Sequence, residues 1–193
     1  MPRLTEPAVA VGELARTEQP TIRDERLVLR PWELADLPVI VAAYADPAIQ
    51  QWHARTMTEP EARSWLLSWL ARWRLETGVG WALASDAGDV LGQISLRALN
   101  HDDGTGEVSY WVLPGARGNH VAYRALRAVS GWLFDDVGLH RVEVNHSTAN
   151  PASCRVAMNA GYVLEGTKRS EALHGDGWHD MHLHARLDSD PAP

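Results

Sequence analysis

Tyr110-Trp111-Val112-Leu113-Pro114-Gly115-Ala116-Arg117-Gly118-Asn119-His120-Val121-Ala122-Tyr123 is the stretch whose reading decides the fold. The residues before it, from Gly106, form a strand. After it, Ala122, Leu126, Val129 and Leu133 recur at i, i+4, i+7 and i+11, the spacing of a helix that buries one face. Between them lies a basic, glycine-containing turn. The N–H groups of a first helical turn point out of the helix end, and the aligned peptide dipoles favour negative charge there, so such a turn suits phosphate. Arg117 adds a fixed positive charge with fork geometry. Downstream, Gly138 ends the helix and Arg141–His146 alternate as a strand. Asn150 caps a second helix with Pro151 at its first position, and Gly161 stops it.

The turn resembles the pyrophosphate-binding signature of the GNAT superfamily of N-acetyltransferases, Arg/Gln-x-x-Gly-x-Gly/Ala. Arg117 fills its first position and Ala122 its last. Three further segments resemble the branch that acetylates ribosomal-protein N-termini: Arg26-Leu27-Val28-Leu29-Arg30-Pro31-Trp32, Glu107-Val108-Ser109-Tyr110-Trp111 and Asn150-Pro151-Ala152-Ser153. The resemblance implies a single α/β (α+β) domain. Its twisted, mostly antiparallel sheet splays between the fourth and fifth strands, with the cofactor in the splay.

Outward from the centre, Arg26–Arg30 read as a first strand and residues 33–44 as a helix. Thr58-x-x-Glu61 matches a capping box, with Pro60 tolerated in the first turn of the helix it opens. Strands follow near 80–84, 90–97 and 106–112, and 162–171 and 180–186 close the fold around Gly175-Asp176-Gly177. The expectation is about seven strands and four helices. The acyltransferase domain is placed at 21–187, between a mobile arm at 1–20 and a flexible tail at 188–193.

The chain has 193 residues, enough for one domain with a sizeable core, and 45% hydrophobic and 22% charged residues are ordinary for a globular protein. A net charge of −7 argues against nonspecific nucleic-acid binding. A local patch for a tRNA stays open. The lone Cys154 rules out an internal disulfide and suits a reducing compartment. No run reaches membrane-spanning length and no basic-then-apolar leader opens the chain, so cytoplasmic residence without a membrane partner is expected.

Acetyl transfer needs a neutral amine, a polarised carbonyl and a protonated or stabilised leaving thiolate. Ser153, in the first turn of the Asn150 helix, is the candidate acid, since that position faces the thiol in similar enzymes. Glu107, on the strand before the basic turn, is the candidate base. The resemblance places acetyl-CoA, as co-substrate, against Val112, Leu113, Arg117, Gly118, Asn119, His120, Val121, Ala122, Tyr123 and Asn150, with Val112 and Leu113 offering main-chain atoms to the pantetheine arm. Nine tryptophans stand against one phenylalanine, and Trp65, Trp69 and Trp73 share one helix face. They read as core or as the wall of an acceptor pocket or a dimer face. Trp69, Trp73, His179, Asp180 and His182 are the candidate acceptor-site residues, and acidic Glu107 and Asp180 would draw a cationic amine. No spacing among the late histidines and Cys154 suggests a complete metal-ligand set, so no metal is assigned.

His120 departs from the motif's glycine. Either the turn keeps its shape with the ring outward, or the ring blocks the pyrophosphate. The leading function is acyl-coenzyme A-dependent N-acyl transfer to a primary amine, of a small molecule or a protein N-terminus. The alternatives are a different donor such as an aminoacyl-tRNA, or a ligand-binding module without activity.

Overall fold

The computed structural model describes residues 4–193. Eight strands form one sheet: β1 (Ile22–Asp24), β2 (Leu27–Pro31), β3 (Val79–Ser85), β4 (Val90–Asn100), β5 (Thr105–Val112), β6 (Arg141–Ser147), β7 (Val163–His174) and β8 (Gly177–Leu187), in the order β1-β2-β3-β4-β5-β6-β8-β7. The helices are α1 (Leu37–Ala45), α2 (Pro47–His53), α3 (Glu59–Arg74), α4 (Val121–Asp135) and α5 (Pro151–Asn159). The expected seven strands become eight because Ile22–Asp24 pairs with β2. A fifth helix, α2, follows Asp46, whose side chain accepts from the N–H of Ala48. The helix expected at 33–44 starts as a 3-10 turn at Leu34–Asp36, pinned by a bidentate pair of Arg30 with Asp36 at 2.7 and 2.8 Å.

All neighbouring strands are antiparallel except β5 and β6, which pair in parallel only from Thr105↔Arg141 to Val108↔Val144. Beyond Val108 the two strands part. The connection between them runs through α4, the crossover that parallel neighbours require.

The sheet carries a core on each face. On one, α4 buries Val121, Ala125, Leu126, Val129 and Leu133 against Leu29, Trp81, Ile94 and Val108. On the other, α1 and α3 bury Ile40, Tyr44, Leu66 and Trp69 against Ala82 and Trp111. Thr58 and Glu61 form the expected capping box of α3. Gly80 gives Trp69 its room: a Cβ there would lie 2.7 Å from the indole.

The segment before β1 is tied to the domain along its described part, Leu4–Pro20; Met1–Arg3 lie outside the described residues. Val9 is buried, and Glu76 accepts the N–H groups of Gly12 and Ala15 at 2.6 and 2.8 Å. Trp73 and Trp81 donate their indole N–H groups to the carbonyls of Thr17 and Pro20. Such packing does not fit a mobile arm. At the other end the Asp188 N–H donates to the His140 carbonyl.

Candidate active site

The parting of β5 from β6 opens a cleft of about 800 Å³. One mouth is lined by the turn before α4 and the start of α5. The other is lined by the end of α2, with Trp52, His53 and Arg55, and by Arg97, Trp111 and His174.

The turn before α4 takes two left-handed residues. Gly118 takes φ +80° and His120 φ +57°, ψ 16°, the left-handed conformation that a glycine would adopt freely. Histidine therefore occupies a left-handed position here. The first intrahelical bond of α4 runs from the N–H of Arg124 to the carbonyl of His120 at 2.9 Å. The N–H groups of Val121, Ala122 and Tyr123 precede it, so helix geometry gives them no partner within α4. All three residues, with Arg117, Gly118 and His120, line the cleft. Arg117 turns partly back on the fold, donating from Nε to the Val112 carbonyl at 3.1 Å.

The edge of β5 separates two residues that the sequence treats alike. The Leu113 N–H donates to Leu91 on the β4 side, and its carbonyl accepts from Ala116, both at 2.9 Å. Leu113 thus has its main chain engaged and is no partner for a pantetheine arm. Main-chain groups alternate between the two edges of a strand, so Val112 and Tyr110 present theirs to the edge that β6 leaves open, although the Val112 carbonyl already accepts from Arg117. Asn119 spends its side-chain amide on its own turn, donating at 3.4 Å to the carbonyls of Ala116 and Arg117.

Ser153 lines the cleft at the start of α5. Asn150 caps the helix through Oδ1, which accepts the Ser153 N–H at 3.1 Å, and this leaves the Asn150 amide nitrogen as a donor at the cleft. The Tyr110 hydroxyl donates to the Ser153 carbonyl at 3.3 Å. Burial pushes the Tyr110 phenol well above its usual range, against a side-chain hydrogen bond with Ser153, so the phenol stays protonated. Tyr110 and Ser153 both line the cleft.

At the opposite mouth stands His53, which sequence reasoning missed. It closes α2 and lies beside the main chain of Tyr110, which favours its protonated form. Burial brings its pKa down to about 4, opposed by that contact and helped by the charges of Arg55, Arg97 and His174. The imidazole is neutral at pH 7. The signal for α2 was present, since Asp46-Pro47 is an N-cap followed by proline at the first position. Nothing in the sequence showed that its end meets β5.

The other expected site residues lie elsewhere. Trp69 and Trp73 are 7% and 4% exposed, belong to the two cores and do not line the cleft; the aromatic wall is made by Trp52 and Trp111 instead. Glu107 sits on the paired part of β5, outside the cleft, 3.5 Å from Arg97. Asp180 is exposed and accepts the Ser170 N–H at a bulge between β7 and β8. His179 bridges Ser147 at 2.7 Å and Asp176 at 2.9 Å, stacked on His174. His182 packs with His146 and His184 beneath α5. The charge of the cleft is therefore the reverse of the expectation. Among the described residues its lining holds Arg55, Arg97, Arg117 and Arg155 and no carboxylate.

Residues 26–163 match the model of the acetyltransferase (GNAT) domain. The uncharacterized N-acetyltransferase YoaA of Bacillus subtilis (strain 168) is 23% identical over 86% of this chain and 96% of its own length. The ribosomal-protein-serine acetyltransferase of Escherichia coli (strain K12) is 27% identical over 51% of this chain and 55% of its own length. Among solved structures, RimL, the ribosomal L7/L12 α-N-protein acetyltransferase in complex with coenzyme A, superposes with a TM-score of 0.82 at 18% identity, covering 89% of this chain and all of that one. With the match spanning most of the domain and the cleft in its place between β5 and β6, the chain belongs to the GNAT family of acetyltransferases.

Proposed function

We propose that the protein transfers an acetyl group from acetyl-CoA to a primary amine by direct attack, both substrates meeting in the cleft between β5 and β6. The observation that carries this is the convergence in one cleft of the α4 turn, Tyr110, Ser153 and the neutral His53. The residues of the turn suit a pyrophosphate: Val121, Ala122 and Tyr123 offer N–H groups at the positive end of α4, and Arg117 adds charge. Val112 and Asn150 would hold the pantetheine arm.

In this reading the amine nitrogen attacks the thioester carbonyl, the carbon–sulfur bond breaks, and the Tyr110–Ser153 pair supplies the proton that the thiolate takes up. The amine must arrive neutral. Arg55 and Arg97 disfavour a second positive charge beside them and so favour the uncharged amine. His53, held neutral, offers a ring nitrogen to the proton released after attack. Glu107 stands behind Arg97 and would act only through it.

The arginines also select the acceptor. A basic mouth favours an amine that carries a carboxylate close by, such as a protein N-terminus followed by acidic residues. RimL and the Escherichia coli relative carry names of ribosomal-protein acetyltransferases, which supports a peptide acceptor. Residence in the cytoplasm belongs to the same reading. Dimerisation would use the β7–β8 hairpin, where Leu173 and Trp178 are exposed. Thiol release measured with acetyl-CoA and a panel of N-terminal peptides tests the reading. Activity on peptides with acidic second and third residues, above that on basic ones, is expected. No thiol release with any amine, together with no thermal shift from coenzyme A, would overturn it.

A further inference from the structure

We propose that His146, Cys154, His182 and His184 form a binding site for one divalent transition-metal ion of the zinc class, holding α5 to the sheet. Each residue brings one ligand atom, and all four atoms lie within 4.8 Å of one another.

The fold builds this cluster from three elements. His182 and His184 alternate on one face of β8, opposite His146 and Val144 of β6. Cys154, on α5, is laid over that face, its Sγ 3.7 Å from Nε2 of His184. The three rings pack on one another, with His146 and His184 stacked at 5.0 Å.

The donor atoms are prepared for a cation. His146 is 6% exposed and His184 fully buried. Nδ1 of His146 donates to the Ser147 carbonyl at 2.8 Å, which fixes the tautomer and leaves Nε2 with a lone pair. That Nε2, and Nδ1 of His182, are buried without a hydrogen-bond partner. Buried polar atoms are nearly always satisfied, so orphaned nitrogens in one cluster mark a missing partner. A main-chain carbonyl behind a histidine nitrogen is the usual support of a metal-bound imidazole.

Three imidazoles and one thiolate make a tetrahedral set of nitrogen and sulfur, the preference of zinc. Zinc bonds of about 2.0–2.3 Å bring ligand atoms to roughly 3.3–3.8 Å apart. The Cys154–His184 pair already has that spacing, and the remaining ligand atoms, all within 4.8 Å of one another, would move closer on binding. On binding, Cys154 gives up its thiol proton to solvent and its sulfur bonds the ion. With no open coordination position the ion would be structural. It would tie the first turns of α5 to β6 and β8, and so steady Ser153 and Asn150 beside the cleft. The site stands independently of the acceptor.

Cobalt(II) titration of the full chain, stripped with a chelator and reduced, is the test. One equivalent should produce tetrahedral d–d bands in the visible and a thiolate-to-cobalt charge-transfer band in the near ultraviolet, and zinc should bleach both. Cys154→Ala should lose the charge-transfer band, and His182→Ala should weaken binding at least tenfold, each with a native near-ultraviolet circular dichroism spectrum. An absence of bands in wild type, or bands unchanged in Cys154→Ala, would overturn the site and leave three packed imidazole rings.

Discussion

The two mouths of the cleft are built in opposite ways. The mouth proposed for the cofactor is local. The α4 turn, the edge of β5 and the start of α5 all lie between Tyr110 and Ser153, and their chemistry is mostly main chain. The mouth proposed for the acceptor is assembled from far-apart residues, among them Trp52 and His53 from α2, Arg55 just after it, Arg97 from β4 and His174 from β7, and its chemistry is side chain. A main-chain site tolerates a changed side chain, as His120 shows by keeping the left-handed turn without glycine. A side-chain site is redefined by any one replacement. Substitutions at the acceptor mouth should therefore change which substrate is used, while those at the turn should change affinity modestly.

The largest effect is expected where the two mouths meet. Ser153→Ala and Tyr110→Phe should each lower kcat by about 10²-fold with little change in acceptor KM, because a proton given to the thiolate matters only in the transition state. Steady-state kinetics on the best peptide acceptor measures this. If only one replacement lowers kcat, the proton comes from that hydroxyl alone, and the pair is reduced to a donor and its support. Glu107→Gln should leave kcat within about threefold.

A second difference is electrostatic. His53 has a folded-state pKa of about 4, below its ordinary 6.5. Between those values the unfolded chain binds the extra proton and the folded chain does not, so stability falls as pH drops through that window and is level above it. The neighbours that face His53 are Arg55, Arg97 and His174, all positive or able to become so, and none relieves the charge. Discounted for partial exposure, the loss from pH 6.5 to 4 should be about 1–2 kcal/mol. Urea midpoints across that range, in chelator, should decline less in His53→Gln than in wild type. Parallel declines would show that the imidazole is charged in the fold.

The same division explains what the sequence could tell. The strand–turn–helix order, the Thr58 capping box and the Asn150-Pro151 start are encoded by neighbouring residues and were legible. The tryptophan stripe was legible as a helix face but not as core or cleft, because that depends on the sheet opposite: Gly80 admits Trp69, and Thr17 receives Trp73. Glu107 and Ser109 share a strand face, yet the splay begins after Val108, so only Ser109 reaches the cleft. Where two strands stop pairing is not written in either one. His53, Arg55 and Arg97 were invisible as a group for the same reason.

The acceptor mouth can be tested for charge directly. Arg55→Ala with Arg97→Ala should raise KM for acidic peptides by about tenfold and leave KM for acetyl-CoA unchanged, as expected for partly screened charges. Basic peptides should gain relative to acidic ones. Added salt should weaken the wild type toward the double variant. Equal losses for acidic and basic peptides would mean that the arginines shape the cleft without reading charge.

The smallest effect concerns the turn and bears most directly on the comparison. A non-glycine residue in the left-handed region costs about 1–2 kcal/mol, and glycine gives back roughly 0.5–1 kcal/mol through the freedom of its unfolded chain. His120→Gly should therefore stabilise the protein by at most about 1.5 kcal/mol. Coenzyme A affinity should stay the same or rise, since the N–H groups of Val121 to Tyr123 keep their places whichever side chain precedes them. Calorimetry of coenzyme A binding, beside a thermal melt of both proteins, separates the two quantities. A tenfold loss of affinity with unchanged stability would make the imidazole a ligand contact. The cofactor mouth would then depend on a side chain as the acceptor mouth does.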